Sequence, residues 1–173
     1  SYEKGKLLFE ALTPEMRISA MGKSLQEELE ILKNTATGQL FPGFVGISEQ
    51  GDTVRIDTLA GQVTVVDFWA SWCGPCRKEM QSLKQLYHDY QERGLKIISI
   101  SLDESVDDWQ KACLEERIPW MSLRNPDGFK NTGLVKLLGI KAIPFIVTVD
   151  RDGRIVAKGL RRELLREKID TLL

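Results

Sequence analysis

One apolar run constrains the fold of this 173-residue chain more than any other segment. Val63–Trp69 (VTVVDFW) is almost continuously apolar and lies between Gly61 and Ser71. Such runs are typical of strands buried on both faces, whereas half-exposed strands alternate between apolar and polar residues. The segment therefore predicts a central strand of a covered sheet. Leu95–Leu102 (LKIISISL) and Pro144–Val149 (PFIVTV) predict two more such strands.

The segments around these runs complete the predicted fold. A long amphipathic helix is predicted after Cys73, with its end at Gly94. Shorter helices are predicted over Ser105–Ile118, Thr132–Leu138 and Leu160–Leu173, and shorter strands over Phe44–Ile47, Thr53–Ile56, Trp120–Leu123 and Arg154–Ala157. This order predicts an α/β fold, with a mixed central sheet, helices on both faces and an N-terminal β-hairpin.

Residues 1–37 are predicted to form a helical extension before a main domain of residues 38–173. Thr13-Pro14 predicts one helix start, and Ser24 with Glu27 forms a second capping box. The extension is therefore one helix, or two that break near Gly22. Its predicted apolar face consists of Ile18, Met21, Leu25, Leu29 and Leu32. The extension either packs on the main domain or is the tail of a larger upstream domain.

The strongest chemical signal is the pair Cys73 and Cys76, which follows the first buried strand and starts the long helix. The free N–H groups and dipole of a helix N-terminus favour a thiolate on Cys73, where we expect solvent to reach the sulfur. Cys76 lies one turn deeper, close enough for a disulfide. Gly74 and Pro75 shape the turn, since proline at an early helical position needs no N–H donor.

A zinc site is the alternative for this pair, and its further ligands would have to be Cys113 and His88. Cys76 and His88 are twelve residues apart in one predicted helix, which is about 18 Å. That distance is too long for a shared metal ion, so the pattern favours redox chemistry. We expect Cys113 to behave as a small buried hydrophobe. Its helix face is predicted to bury Val106, Trp109, Cys113 and Leu114.

Charge argues against nucleic-acid binding, and hydropathy argues against a membrane-spanning segment. Lys and Arg number 24 against 25 acidic residues, so the chain offers no excess cation to nucleic acid. The basic residues near the C-terminus alternate with acidic ones and predict a solvated helix face: Arg161, Arg162, Arg166 and Lys168. No apolar run approaches the roughly 18 residues of a membrane span. Because the chain starts at Ser1, we expect a processed or trimmed product from which any export signal has already gone.

Taken together, these motifs resemble the thioredoxin superfamily. The resemblance covers about residues 40–173 and is carried by Val66–Cys76 (VDFWASWCGPC) and by Ile143-Pro144 at the start of a late strand. The hairpin, Cys76–Glu79 (CRKE) and the ISLDES segment with an inserted helix are similar to TlpA/ResA-like thiol–disulfide oxidoreductases. This resemblance implies a thioredoxin-like fold and a periplasmic or otherwise extracytoplasmic protein, with a membrane tether outside this sequence as one option.

The resemblance also implies roles for the central residues. Cys73 would attack the partner and form a mixed disulfide, which Cys76 would resolve. Asp67 matches the family's buried carboxylate, which exchanges a proton with Cys76 through a water. Ordinary thioredoxins place a lysine beside this carboxylate, whereas the matching strand here offers Ser99.

A partner-binding surface follows from the same comparison. Pro144 matches the family's cis-proline, and its loop with Ile143 is expected to pair with an extended partner segment. Glu79 matches an acidic residue near the dithiol in ResA-like proteins, and an exposed helix charge is its alternative. The other residues expected to flank the site or contact the partner are Trp69, Trp72, Gly74 and Pro75.

The predicted function is thiol–disulfide exchange with protein cysteines, without a metal or organic cofactor. Gly-Pro between the cysteines resembles the reducing members of the family, so we expect a reductase that receives electrons from an upstream thiol donor. Two alternatives stay open. One is a peroxiredoxin-like peroxidase, although it would carry Thr or Ser before a lone cysteine. The other is a non-catalytic binding module with a thioredoxin fold.

Overall fold

The computed structural model describes residues 2–130 and 133–173. The helices are α1 (Tyr2–Glu10), α2 (Pro14–Ile18), α3 (Ala20–Asn34), α4 (Gly74–Tyr90), α5 (Val106–Glu116), α6 (Gly133–Leu138) and α7 (Arg162–Asp170). The strands are β1 (Phe44–Ile47), β2 (Thr53–Ile56), β3 (Val63–Trp69), β4 (Leu95–Ser101), β5 (Met121–Arg124), β6 (Phe145–Val149) and β7 (Ile155–Lys158). A short 3₁₀ turn, Gln91–Arg93, follows α4 and ends at Gly94.

One seven-stranded sheet organises the molecule, in the order β2-β1-β5-β4-β3-β6-β7. β4 runs parallel to β3 and to β5, whereas β6 pairs antiparallel with β3. The apolar runs thus form the middle of the sheet, as predicted, and β3 is buried along its whole length. The register places Asp67 of β3 opposite Ser99 of β4.

Residues alternate between the two covered faces of β3. Val63 and Val65 pack with α4 and α7, whereas Val66 and Phe68 pack with α6. Asp67 follows the first pattern, because alternate residues of a strand share a face. It therefore lies on the face that α4 covers, two residues before Trp69.

The helical extension differs from its prediction. Three helices form instead of one or two, and the chain turns at Ser19 rather than at Gly22. The Ser19 hydroxyl accepts the Gly22 N–H at 3.1 Å, so Ser19, and not Ser24, caps α3. Gly22 lies inside α3, and it leaves room for α2, because a Cβ there would collide with the carbonyl oxygens of Met16 and Arg17.

The predicted apolar face of the extension is wrong for most of its members. Leu29 is buried and Leu25 is half-buried, whereas Ile18, Met21 and Leu32 are exposed. The helical spacing cannot include residue 18, because the chain is not helical at Ser19 and α3 starts only at Ala20.

Two further expectations need correction. In α5, Trp109 and Cys113 are buried as predicted, but Val106 and Leu114 are exposed, and Ala112 and Glu116 occupy the inner face. The predicted helix Thr132–Leu138 is observed as α6 from Gly133, and Thr132 lies outside the described residues. The bounds of the other predicted elements agree within a few residues.

The described helices include none whose length and apolar character would suffice to cross a bilayer.

Candidate active site

The site begins at the junction of β3 and α4. Cys73 is the N-cap of α4 and adopts extended backbone angles, with Gly74 and Pro75 as the first helical residues. Its Sγ accepts the Cys76 N–H at 3.2 Å. The two cysteines are joined by a disulfide, with a Cα–Cα distance of 5.2 Å. The helix N-terminus thus directs an N–H donor at the Cys73 sulfur, an arrangement that stabilises a thiolate.

Both sulfurs are enclosed by apolar side chains. Cys73 is 5% exposed and Cys76 is 2% exposed. The expectation that solvent reaches the Cys73 sulfur therefore needs correction for the disulfide form. The surrounding cluster includes Trp69, Met80, Trp109, Ala112 and Cys113. Trp69 is fully buried in this cluster, so the expectation that it offers an apolar surface beside the site is wrong.

Asp67 is the buried carboxylate that the sequence predicted. It is 2% exposed, and the Ser99 hydroxyl donates to its Oδ2 at 3.2 Å. Burial raises the pKa of Asp67 from 3.8 to about 7, because the charged form loses its hydration. The Ser99 hydrogen bond opposes this rise, the nearby Glu79 charge adds to it, and the Arg161 cation lowers it slightly. The carboxyl group can therefore exchange a proton near neutral pH.

Trp120 is a third member of the hydrogen-bonded group formed with Asp67 and Ser99. The sequence did not predict it as a site residue. Its indole N–H donates to the Ser99 hydroxyl oxygen at 2.9 Å. Trp120 is half-buried and packs edge to face on Tyr87 of α4, with 5.3 Å between ring centroids. Only the register of β3, β4 and β5 brings Trp120 toward Asp67. No local pattern could have marked it.

Glu79 lies on α4 one turn after Cys76, and the structure buries it. It is 4% exposed, so the alternative of an exposed helix charge is wrong. Its Oε1 accepts the backbone N–H of Arg162 at 3.2 Å, and its Oε2 lies 3.7 Å from the Arg162 guanidinium. Arg162 has a φ of 50°, a left-handed conformation that is unfavourable for a residue with a side chain. Glu79 stabilises this backbone turn through the N–H that it accepts.

The loop before β6 contains the predicted cis-proline. The Ile143-Pro144 peptide bond is cis, and the Arg161 guanidinium donates to the Pro144 carbonyl oxygen. Arg161 and Arg162 are exposed, as predicted, and both also contact residues of the site. Ile143 is half-buried and contacts the apolar cluster around the cysteines.

Trp72 presents the exposed apolar surface beside the disulfide. It is 62% exposed, and its ring centroid lies 6.3 Å from that of Phe129. Phe129 follows the Asn125–Gly128 turn and is half-buried. It was not predicted as a site residue, since its approach to Trp72 depends on the loop that follows β5.

Asp103 fixes the loop that leads to Cys73, and sequence reasoning missed it as well. Its carboxylate accepts the Ser71 N–H at 2.9 Å, the Ser71 hydroxyl at 2.6 Å and the Ser101 hydroxyl at 2.6 Å. The acid is fully buried at the end of β4. The SLDES segment could have indicated this role, because a carboxylate just after a buried strand needs hydrogen-bond donors.

The two remaining candidates have different surroundings, and only Cys113 packs in the apolar cluster around the disulfide. Cys113 is buried, as predicted, and burial raises its pKa to about 11. His88 is exposed and contacts Asp89, so it offers no fourth position near the cysteines. Within residues 2–130 and 133–173, no three His, Cys, Asp or Glu side chains form a group that could hold a metal ion.

A disulfide at a helix N-terminus, a cis-proline loop and a buried carboxylate on a mixed sheet define a thioredoxin-fold redox protein. The chain belongs to the thioredoxin-like family, whose model matches residues 61–155. Within that family it is a TlpA/ResA-like thiol–disulfide oxidoreductase, as the sequence predicted.

Individual relatives support this assignment. The thiol-disulfide oxidoreductase ResA of Bacillus thuringiensis is 26% identical over 179 residues, covering 99% of this chain and 96% of the relative. The thioredoxin domain of a thiol-disulfide oxidoreductase from Bacteroides vulgatus is 32% identical, with a TM-score of 0.72, and covers 79% of this chain and 96% of that domain. A thiol:disulfide interchange protein from Bacteroides sp. is also 32% identical, with a TM-score of 0.71, covering 80% of this chain and 90% of its own.

Proposed function

We propose that this enzyme reduces disulfide bonds in partner proteins, with Cys73 as the attacking residue and Cys76 as the resolving residue. One observation carries the proposal. Cys73 caps α4, where its sulfur accepts the Cys76 N–H, and Cys76 is the more deeply buried of the two. The helix terminus stabilises the Cys73 thiolate, and the thiolate is the nucleophile in disulfide exchange.

The exchange proceeds in two steps. The Cys73 thiolate attacks one sulfur of the partner disulfide, whose S–S bond breaks to leave a mixed disulfide and one partner thiolate. Asp67 then accepts the Cys76 thiol proton through a water, and the Cys76 thiolate attacks the Cys73 sulfur. The mixed disulfide breaks, the second partner thiolate leaves, and the Cys73–Cys76 disulfide forms. Two electrons have passed to the partner, and an upstream thiol donor returns them to the enzyme.

Partner binding uses the surface around the disulfide. The exposed Trp72 ring offers apolar contact, and Gly74 and Pro75 beside it are also exposed. The loop at Ile143 and Pro144 offers backbone groups to an extended partner segment. Glu79 does not contact the partner, and it stabilises the turn at Arg162 by accepting the backbone N–H of that residue. The substrate class is therefore an exposed protein disulfide in an extended segment.

The cell envelope of a bacterium is the proposed location. The TlpA/ResA-like relationship supports it, as does the likeness to a structure described as a putative thiol:disulfide interchange protein DsbE from Chlorobium tepidum, 26% identical with a TM-score of 0.67. In this proposal residues 1–37 are a helical extension, residues 38–173 are the redox domain, and a membrane tether lies outside this sequence.

Redox equilibration and partner trapping test the proposal. The protein is equilibrated in a dithiothreitol or glutathione series, and the fraction of Cys73–Cys76 disulfide is measured by alkylation and mass spectrometry. We expect two-electron behaviour at a low potential. Cys76→Ser should accumulate mixed disulfides with a model protein disulfide, whereas Cys73→Ser should not. Cys113→Ser is the matched control and should behave as the native protein.

Each other outcome identifies a different function. A high potential would reverse the direction to disulfide donation. Peroxide consumption by the protein alone would support the peroxidase. Full biological activity of the Cys73→Ser, Cys76→Ser double variant would support a binding module.

A further inference from the structure

Three side chains from three neighbouring segments form a directed chain of hydrogen bonds at Asp67. Asp67 and Ser99 are register partners on the parallel strands β3 and β4. The Ser99 hydroxyl donates to Asp67 Oδ2 at 3.2 Å, and the Trp120 indole N–H donates to Ser99 Oγ at 2.9 Å. Ser99 is fully buried, and within the described part of the chain these two residues are its side-chain partners.

The donor and acceptor chemistry of the three side chains sets the direction of these hydrogen bonds. An indole N–H can only donate, so the Ser99 oxygen must act as the acceptor toward Trp120. The single Ser99 proton is then directed at Asp67. A protonated Asp67 could instead donate to Ser99, but the Ser99 proton would then need another acceptor. The chain thus favours the carboxylate over the carboxylic acid.

We propose that Ser99 and Trp120 are positioning residues that orient the Asp67 carboxylate and favour its ionised form as the proton acceptor for Cys76. They replace the cation that stands beside this carboxylate in ordinary thioredoxins. The inference deepens the proposed function, because it rests on proton transfer between Asp67 and Cys76. Neither residue touches the reacting sulfurs in this role.

Several groups around Asp67 raise or lower its pKa, and comparing them shows how Ser99 affects it. Burial acts against the carboxylate, and Glu79 on α4 acts in the same direction. The Ser99 hydrogen bond and the Arg161 cation at the start of α7 oppose them, and Ser99 has the larger effect of the two. Ser99 is therefore the main group that keeps the Asp67 pKa near neutral rather than higher. A hydrogen bond of ordinary strength is worth about 0.5 to 1 pH unit in such a balance.

The experiment measures the Asp67 carboxyl pKa by ¹³C NMR in the disulfide form, where Cys76 does not titrate. Ser99→Ala should raise this pKa by about 0.5 to 1. Trp120→Phe keeps an aromatic ring against Tyr87 but removes the donor, and should raise the pKa by a smaller amount. In the double variant the Trp120→Phe change should add nothing, since its effect passes through Ser99.

Ser122→Ala is the matched control. Ser122 is also buried, lies opposite Ser99 on β5 and accepts a tryptophan N–H, that of Trp109 at 3.3 Å. It has no bond to Asp67, so its replacement should leave the pKa unchanged. Trp120→Phe changes a half-buried side chain and gives an independent test if Ser99→Ala folds poorly. Additive effects of the two variants, or an unchanged pKa in both, would overturn the proposal.

A second measurement separates this inference from the proposed function. The pH dependence of Cys76 attack on a preformed mixed disulfide at Cys73 should move to higher pH by the same amount as the Asp67 pKa. An active enzyme whose Asp67 pKa does not respond overturns the hydrogen-bond chain alone. A pKa that responds while the pH profile stays fixed overturns Asp67 as the proton acceptor, and with it the positioning role.

Discussion

Replacing Asp67 by Asn should make the protein more stable, and the gain should grow with pH. The side chain is buried, and its pKa rises from 3.8 to about 7 on folding. Its contribution to stability is therefore complete below pH 3.8 and is lost as the pH rises toward 7. The full loss corresponds to about 4 kcal/mol, since one pH unit is worth about 1.4 kcal/mol. Asn keeps the size and an acceptor for Ser99, but does not ionise.

Urea unfolding of the disulfide form at pH 5.5 to 8.5 measures this effect. The native protein should lose about 2 kcal/mol of unfolding free energy relative to Asp67→Asn between pH 5.5 and pH 7, and little more above it. Glu115→Gln is a control at an exposed carboxylate whose pKa Arg77 lowers. It should produce a constant offset over this range. Parallel curves for Asp67→Asn and the native protein would refute the raised pKa of Asp67 in the folded state.

Three further variants test other contacts. Cys113→Ser should leave disulfide reduction unchanged, and in the native oxidised protein Cys113 should react with iodoacetamide only after unfolding, because it is buried and its pKa is about 11. Asp103→Asn should lower the unfolding free energy by about 1 to 3 kcal/mol in urea titrations, because an amide cannot accept all three hydrogen bonds that hold Ser71 and Ser101. Glu79→Gln should lower the Asp67 pKa in an NMR titration, opposite in sign to Ser99→Ala, because it removes a like charge.

The central strands and the cysteine pair were predictable because their signals are local. Continuous apolar runs identify β3, β4 and β6, since burial on both faces leaves few places for polar side chains. The position of Asp67 in such a run already implied a buried carboxylate. Cys73 and Pro75 likewise carry helix N-terminus signals in their own sequence.

The failures lie where the answer depends on distant segments. Ser19 and Ser24 are both plausible helix caps, and only the turn between α2 and α3 selects Ser19. Glu79 looks like a surface charge until the start of α7 is placed against α4, where its carboxylate accepts the Arg162 N–H. Trp120 reaches Ser99 only through the strand order of the sheet. Local patterns predict what a segment becomes, but they do not predict which segments meet.

Asp67 and Asp103 are both buried near the cysteine pair, but their hydrogen bonds differ. Asp103 accepts three hydrogen bonds, from the Ser71 N–H, the Ser71 hydroxyl and the Ser101 hydroxyl, so two separate segments of the chain fix its position. Among the described residues, Asp67 accepts one side-chain hydrogen bond, from the neutral Ser99 hydroxyl, which only partly offsets the cost of burying its charge. A carboxylate held by several donors is a good anchor, because each hydrogen bond restricts its position. We therefore infer that Asp103 anchors the loop, whereas proton exchange is the role proposed for Asp67, whose proton affinity the Ser99 hydrogen bond lowers.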